Sequence, residues 1–466
     1  MTEKKLSRRQ FLLLGGQGIA AAAFLASCGP SATPAPAAPA APAATKPPAA
    51  PEPTTAPPAK ALPAIEFLAW GDTTDGPAWE VLGPEYTKKT GAVVNITPVA
   101  DPNANFYTKL QTMFAAGTPP NLSSFQGWEW QPYADKNLLQ PIGDWITSDM
   151  VTTVYPSGYT SVDQSTKRGD KTYLIPLQAA TMIMFYAKKI FDDAKVPYPT
   201  DDWTFEEFVE TAKKLTDAGK GTFGYQVNGN WYRDIGWIVG TGKREFDQIV
   251  DPTKAQFNTP EIVERITTTS YDMPQTWKVA PSPADTSGAN TINTGKCAMK
   301  YEGAWFLPQL NSPKLREDKK EVPFDVVLMP KTDGVAGRPH RGWGEGVAIP
   351  KTDLAEAAWA FAAFLVSEEG NKQYSTITGR IPSNLALAES WWVPRTKELY
   401  QIENGKAFLD AFKEGQIDVV SGTVPRSRMW SEVVKPTAWD AINNGSAKPA
   451  EVFPKVDEKL NALLNG

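Results

Sequence analysis

An α/β fold with a largely parallel sheet is what the sequence predicts, on three observations. Beyond residue 64, short apolar runs alternate with stretches whose apolar residues recur at helical spacing. Glycine and proline punctuate the joins between them. The 466-residue chain is long enough for two or more domains.

The elements follow in order. Ile65-Glu66-Phe67-Leu68-Ala69-Trp70 reads as a strand that ends at Gly71-Asp72. Residues 79–89 carry Trp79, Leu82 and Tyr86 at helical spacing, and Gly91 stops that helix. Val93-Val94-Asn95-Ile96 is a second strand, and 106–116 an amphipathic helix closed by Gly117-Thr118-Pro119-Pro120. Residues 122–125 form a short strand and 128–136 begin a third helix. Tyr173-Leu174-Ile175-Pro176 and the apolar run 181–186 continue the pattern. A helix over 204–218 opens with Thr204-Phe205-Glu206-Glu207, where Thr204 caps and Glu207 completes a capping box. Helices are expected over 260–273, 354–367, 406–414, 430–443 and 450–464, so the last third is helix-rich. There is no convincing internal repeat.

Composition excludes several function classes. A net charge of −5 offers no basic face for nucleic acid or anionic lipid. The single histidine, His340, lies between Pro339 and Arg341 and reads as an ordinary loop residue. Ser–His–Asp and Cys–His catalysis both need a base beside the nucleophile, and most zinc sites need several His or Cys ligands. The reading therefore needs no metal and no cofactor, although a carboxylate pair stays open because Asp and Glu total 52. The 16 tryptophans are many for a chain of this size.

The first 27 residues read as an export signal: Lys4, Lys5, Arg8 and Arg9 form a basic head, and 11–26 is a short apolar stretch rich in Gly and Ala. Leu25-Ala26-Ser27-Cys28 resembles a lipobox, which implies cleavage before Cys28 and a lipid on that cysteine. Ser7-Arg8-Arg9-Gln10-Phe11-Leu12 resembles the twin-arginine export signal, with Leu13 where that motif often has Lys. With Cys28 acylated, Cys297 stands alone and no disulfide forms within the mature chain. Residues 29–63 are almost wholly Pro, Ala and Thr and cannot bury a core. At about 3.1 Å per residue such a tether lifts the folded body roughly 50–100 Å from the lipid surface.

Four segments carry a family resemblance. They are Phe106-Tyr107-Thr108-Lys109-Leu110 running to Phe114-Ala115-Ala116-Gly117-Thr118-Pro119-Pro120-Asn121; Phe185-Tyr186-Ala187-Lys188-Lys189-Ile190-Phe191 leading to Trp203-Thr204-Phe205-Glu206-Glu207-Phe208; Gly295-Lys296-Cys297-Ala298-Met299 leading to Gly303-Ala304-Trp305; and Gly342-Trp343-Gly344-Glu345-Gly346-Val347-Ala348-Ile349-Pro350-Lys351, followed by Ala357-Ala358-Trp359 and Gly379-Arg380-Ile381-Pro382-Ser383. In this order the chain resembles the extracellular solute-binding proteins of ABC importers, in the group that binds sugars and oligosaccharides. Asn121 stands where that family usually has Asp, and Ala187 where it usually has Asn.

The resemblance implies two α/β lobes of periplasmic-binding-protein type II topology, with the ligand in the cleft between them. Lobe 1 is then about 64–182 plus 347–380 and lobe 2 about 183–346 plus 381–466, with crossings near Thr181, Gly344 and Arg380. Sugars present apolar C–H faces and rings of hydroxyls, so their sites combine flat aromatics with paired hydrogen-bonding groups. At the loop positions the family uses stand Trp70, Asp72, Trp128, Glu129, Gln178, Asn230, Trp231, Trp305, Trp343, Glu345 and Trp430, which become the candidate ligand contacts. Trp79, Trp359 and Trp439 sit at helical spacing among apolar residues and read as core. The implied role is a lipid-anchored, monomeric receptor that hands a carbohydrate to the transmembrane subunits of a permease. The alternatives are the same fold holding an amino acid, peptide, polyamine or anion, and a secreted glycoside hydrolase using Asp72, Glu129 or Glu345.

Overall fold

The computed structural model describes residues 63–100, 104–283 and 289–466. The export signal, Cys28 and all but the last residue of the Pro/Ala tether lie outside the described residues.

The first sixty described residues form the alternating unit that the sequence predicts. Strand β1 (Ile65–Trp70) pairs in parallel with β2 (Val94–Val99) and β3 (Leu122–Gln126). Helix α1 (Gly76–Thr90) joins the first pair and α2 (Ala104–Ala115) leads to the third strand. Trp79, Leu82 and Tyr86 are the buried stripe of α1, and Trp79 and Tyr86 meet Phe67 and Phe361 at ring distances of 5.1 and 5.0 Å. Gly91 ends α1 at φ 77, where a side chain would be strained, and its N–H donates to Thr87 O at 2.8 Å. Asn121 works in the turn before β3: its Oδ1 accepts from Glu66 N at 2.8 Å and its Nδ2 donates to Thr352 Oγ1 at 3.0 Å.

A largely parallel sheet does not extend beyond this unit. The order from one edge is β2, β1, β3, the strand His340–Ala348, the strand Leu174–Ala187, and the short strand Ile381–Pro382. The last three join by antiparallel pairing. A parallel pair needs a crossover connection for every strand. Here two long strands instead run in opposite directions through the middle of the molecule. Residues 173–176 and 181–186 thus belong to one 14-residue strand, buried along its whole length. Its first half, Leu174 to Thr181, pairs with His340–Ala348, and its second half pairs with Met299–Gly303 and Phe324–Val327. One strand therefore serves two sheets.

The apolar side chains separate accordingly, and the fold is a two-lobed α/β fold. Two clusters draw on residues 65–177 and 347–374. The third, the largest, draws on residues 179–343 and 381–460, with Trp128 and Val162 added. Trp79 and Trp439 are fully packed and Trp359 is half-buried against the first cluster, as core residues should be.

The helices are close to expectation, with two differences of type. Helix Phe205–Lys214 carries the capping box, in which Thr204 Oγ1 accepts from Glu207 N at 3.2 Å and Glu207 Oε2 accepts from Thr204 N at 2.8 Å. The segments expected at 260–273 and 430–443 each contain a stretch of π-helix, Thr267–Thr276 and Met429–Trp439. Each stretch holds a proline, Pro274 or Pro436, whose missing N–H disrupts regular i→i−4 bonding. The helix expected from 128 begins only at Gln131, which leaves Trp128 and Glu129 in the turn after β3. His340 is not a loop residue. It opens its strand, is 2% exposed, and sits with Nδ1 2.7 Å from Arg338 O while Nε2 accepts from Met329 N at 3.3 Å.

Candidate functional site

A cavity of about 430 Å³ opens beyond the carboxyl ends of β1 and β3, where ligands of open α/β sheets are expected. Each wall has a local cause. Trp70 closes β1, and Asp72 then forms a turn in which its Oδ1 accepts from Thr74 N and Asp75 N, both at 2.8 Å. Gln126 and Trp128 follow from β3. Arg341, Trp343 and Glu345 alternate along one strand, so the period of two points all three into the same space. Asn230 caps the helix Trp231–Val239 by accepting from Arg233 N at 3.0 Å, which presents Tyr232 and Arg233 to the cavity. Trp305, Arg380 and Trp430 complete the wall.

The aromatic residues make a connected surface. Trp343 lies 5.2 Å from Trp128 and 5.9 Å from Trp305 between ring centroids, and Trp430 meets Tyr232 at 5.6 Å. Trp305 Nε1 donates to Glu302 Oε1 at 2.9 Å, which fixes the indole. Its ring also folds back over Gly303, where a Cβ would stand 2.2 Å from the indole, so only glycine leaves that ring its place.

Every arginine on the wall is already paired with a carboxylate. Arg341 makes a two-point contact with Asp418 at 2.8 and 2.6 Å. Burial opposes ionisation of Asp418, but Arg341 and Arg426 outweigh it and hold the carboxyl below its ordinary range. Arg380 Nε donates to Asp75 Oδ1 at 3.1 Å, and its Nη1 lies 3.5 Å from Glu345 Oε1. Arg233 pairs with Glu302. Glu345 is satisfied within the protein, accepting from Gln178 Nε2 and from Trp343 Nε1, both at 2.8 Å, and burial raises its pKa and that of Asp75. Among the described residues, four buried polar atoms of the wall find no protein partner: Trp70 Nε1, Trp128 Nε1, Gln126 Oε1 and Tyr232 Oη. These two indole N–H groups, one amide oxygen and one hydroxyl are closed off from solvent and bond to no protein atom.

The structure brings Trp70, Asp72, Trp128, Asn230, Trp305, Trp343, Glu345 and Trp430 onto this wall, and three other candidates stand behind it. Glu129 is buried and accepts from Ser427 N at 2.7 Å and Ser427 Oγ at 2.9 Å; burial pushes its pKa up to about 7. Gln178 bridges Glu345 and Arg380. Trp231 is the first residue of its helix, and the cap at Asn230 turns it into the core against Phe257 and Arg426. Sequence reasoning missed Thr74, Asp75, Gln126, Tyr232, Arg233, Arg341 and Arg380. Arg341 had a signal, its two-residue spacing from Trp343 on a strand; Tyr232 and Arg233 depend on the phase of a helix whose cap decides it.

The fold is a two-lobed α/β fold, and residues of both halves line its tryptophan-rich cavity. Residues 70–372 match the family model described as bacterial extracellular solute-binding protein, and the chain belongs to that family. Membership makes it an extracytoplasmic binding protein. A protein of Brucella abortus (strain 2308), named only as a binding protein, is 22% identical over 87% of this chain and 98% of its own length. The maltotriose-binding protein of Pyrococcus abyssi is 24% identical over 59% of this chain and 56% of that protein. In structure the chain is similar to an ABC substrate-binding protein of Listeria monocytogenes solved with cycloalternan, with a TM-score of 0.73, 23% identity, and coverage of 86% of this chain and 99% of that one.

Proposed function

We propose that this protein is the substrate-binding component of an ABC importer, and that it captures a neutral carbohydrate and delivers it to a permease without covalent chemistry. One observation carries the reading: five tryptophans and Tyr232 line a single cavity in which every arginine is already matched by a carboxylate. Indole faces suit the C–H faces of a pyranose, and the polar side chains of Asp72, Gln126 and Asn230 on the same wall suit its hydroxyls. Sugar-binding relatives such as the Pyrococcus protein point the same way. The candidate contacts are Trp70, Asp72, Trp128, Asn230, Trp305, Trp343, Glu345 and Trp430, with Glu129, Gln178 and Trp231 acting from behind the wall.

Capture works by hinge closure of the lobes, about 64–182 plus 347–380 against about 183–346 plus 381–466, through the crossings near Thr181, Gly344 and Arg380. Opening breaks the two bonds from Ser427 to Glu129, which join the turn after β3 to the segment before the Met429–Trp439 helix. After export, lipidation of Cys28 tethers the monomer to the outer face of the membrane.

An anion would need an unmatched cation, and the paired arginines argue against it. A glycoside hydrolase would need an acid free to protonate the leaving group. Glu129 and Glu345 are both engaged by protein donors, and Asp72 accepts from Thr74 N and Asp75 N in its own turn. Calorimetry and tryptophan fluorescence against a panel of neutral mono- and oligosaccharides should reveal a saturable binder and no new reducing ends. Silence across that panel, with binding of an amino acid or polyamine, would overturn the proposal.

A further inference from the structure

A separate pocket, of about 650 Å³, lies among residues 205–416 and shares no residue with the tryptophan cavity. Its walls come from the helix Phe205–Lys214, the turn 241–243 after the helix Trp231–Val239, the helix Pro260–Ile266 and the loop 332–336. Phe205 N donates to Lys331 O at 2.8 Å, which holds the start of the first helix against that loop. Arg265 is the unusual group here. It is 6% exposed, its guanidinium lies 3.6 Å from the centre of the Phe205 ring, and Nη2 donates to Thr332 Oγ1 at 3.0 Å. Among the described residues that is its one side-chain hydrogen bond, and no carboxylate forms an ion pair with it. Arg233, Arg341 and Arg380 each meet a carboxylate. A buried charge without a counter-ion is costly, and burial lowers the Arg265 pKa to about 10. Its unbonded N–H groups stay open to the pocket. Three lining carboxylates, Glu206, Glu264 and Asp333, are exposed and in no ion pair among the described residues, whereas Glu261 pairs with Lys243 at 3.4 Å.

We propose that this pocket is a second binding site, for a small zwitterion whose carboxylate pairs with Arg265 and whose ammonium faces Glu206, Glu264 and Asp333. The Phe205 ring fixes the plane of the guanidinium, so its free donors are set before a carboxylate arrives. A simple anion would gain the arginine but meet three like charges beyond it. A simple cation would gain the acids and leave the buried arginine unmatched. A molecule that carries both charges answers both needs, and the pairing is charge-assisted at each end. The volume falls within the roughly 300–1,000 Å³ of small-ligand sites. This site adds a second ligand to the protein and leaves the tryptophan cavity to the first.

The test titrates the full mature chain by calorimetry with glycine, β-alanine, 4-aminobutyrate and 6-aminohexanoate, and with acetate and ethylammonium as single-charge controls. At least one amino-carboxylate should bind saturably with a Kd of about 1 mM or tighter, and about ten-fold or more tighter than either control. Arg265→Met keeps an apolar stem against Phe205 and removes the charge, and should weaken that ligand by about ten-fold or more. Where a thermal melt shows that this variant does not fold, Glu264→Lys at an exposed position decides: it should weaken the zwitterion by about three-fold or more and strengthen acetate. Failure of all four amino-carboxylates overturns the proposal, as does acetate binding as tightly as any of them. Binding unchanged by Arg265→Met and Glu264→Lys overturns it too, because the ligand then sits elsewhere. None of these outcomes bears on the carbohydrate reading.

Discussion

Trp305, one of the proposed ligand contacts, is held on several sides by its neighbours. Its N–H is held by Glu302, its ring lies over Gly303, and Arg233 and Arg380 stand 5.4 and 5.6 Å from its centroid. The ring is therefore in place before anything binds, and little rotamer freedom is lost on capture. Trp305→Ala should weaken sugar binding by about 30-fold, the equivalent of about 2 kcal/mol, with a near-unchanged melting temperature of the empty protein. A collapsed melting transition would make it a packing residue instead. His340 supplies a second check at this scale. Burial lowers its pKa to about 4, and both ring nitrogens are placed against backbone groups that suit one neutral tautomer. A pKa lowered below the unfolded value of about 6.5 means that stability is present above that pH and lost as pH falls toward 4. Because the chain has one histidine, its imidazole proton resonance can be followed alone. A midpoint near 4 is expected, and a midpoint near 6.5 would contradict the burial. The sequence showed the tryptophans but not these environments: its flanking Pro339 and Arg341 suggest a loop, and only the pairing of the strand buries His340.

Elements were legible where their signals are local. The cap at Thr204, the stop at Gly91 and the stripe Trp79–Leu82–Tyr86 all depend on neighbours within a few residues. Thr204→Ala should cost about 1 kcal/mol, read by chemical denaturation, because it strands the Glu207 N–H at the start of the helix. A loss within error would show that the exposed helix end is solvated as well as it is capped. The misread elements are those whose character depends on distant partners. Residues 173–176 and 181–186 look like two short runs, because Gln178 breaks the apolar pattern and Thr181 opens the second run with a polar group. In the structure those polar groups are satisfied across the strand, Gln178 by Glu345 and Arg380 and Thr181 by Arg341 O, so the strand continues through them. The delayed helix start at Gln131 has the same kind of cause. Trp128 is drawn against Trp343 and Arg426, which a local helical turn would not reach.

At the scale of the whole molecule, two packed halves share strands and both line the tryptophan cavity. A ligand held by both halves stabilises the bound form over the unfolded chain, by about 2.7 kcal/mol at one hundred times Kd. Saturating sugar should therefore raise the melting temperature, and scattering should show a smaller radius of gyration. A rise in melting temperature with no compaction would mean binding to one lobe without closure. The amino-acid sequence by itself determined the α/β class, the abundance of indoles without a catalytic base, and the family signature in its ordered segments. These depend on residue type and short spacing, which a linear chain displays. The tertiary structure alone decided the mixed direction of the sheet, the pairing of each cavity arginine with a carboxylate, and which tryptophans face the cavity rather than the core. Those outcomes follow from contacts between residues far apart in the chain. Arg380 and Asp75, 305 positions apart, meet only because the chain returns to the first lobe after building the second.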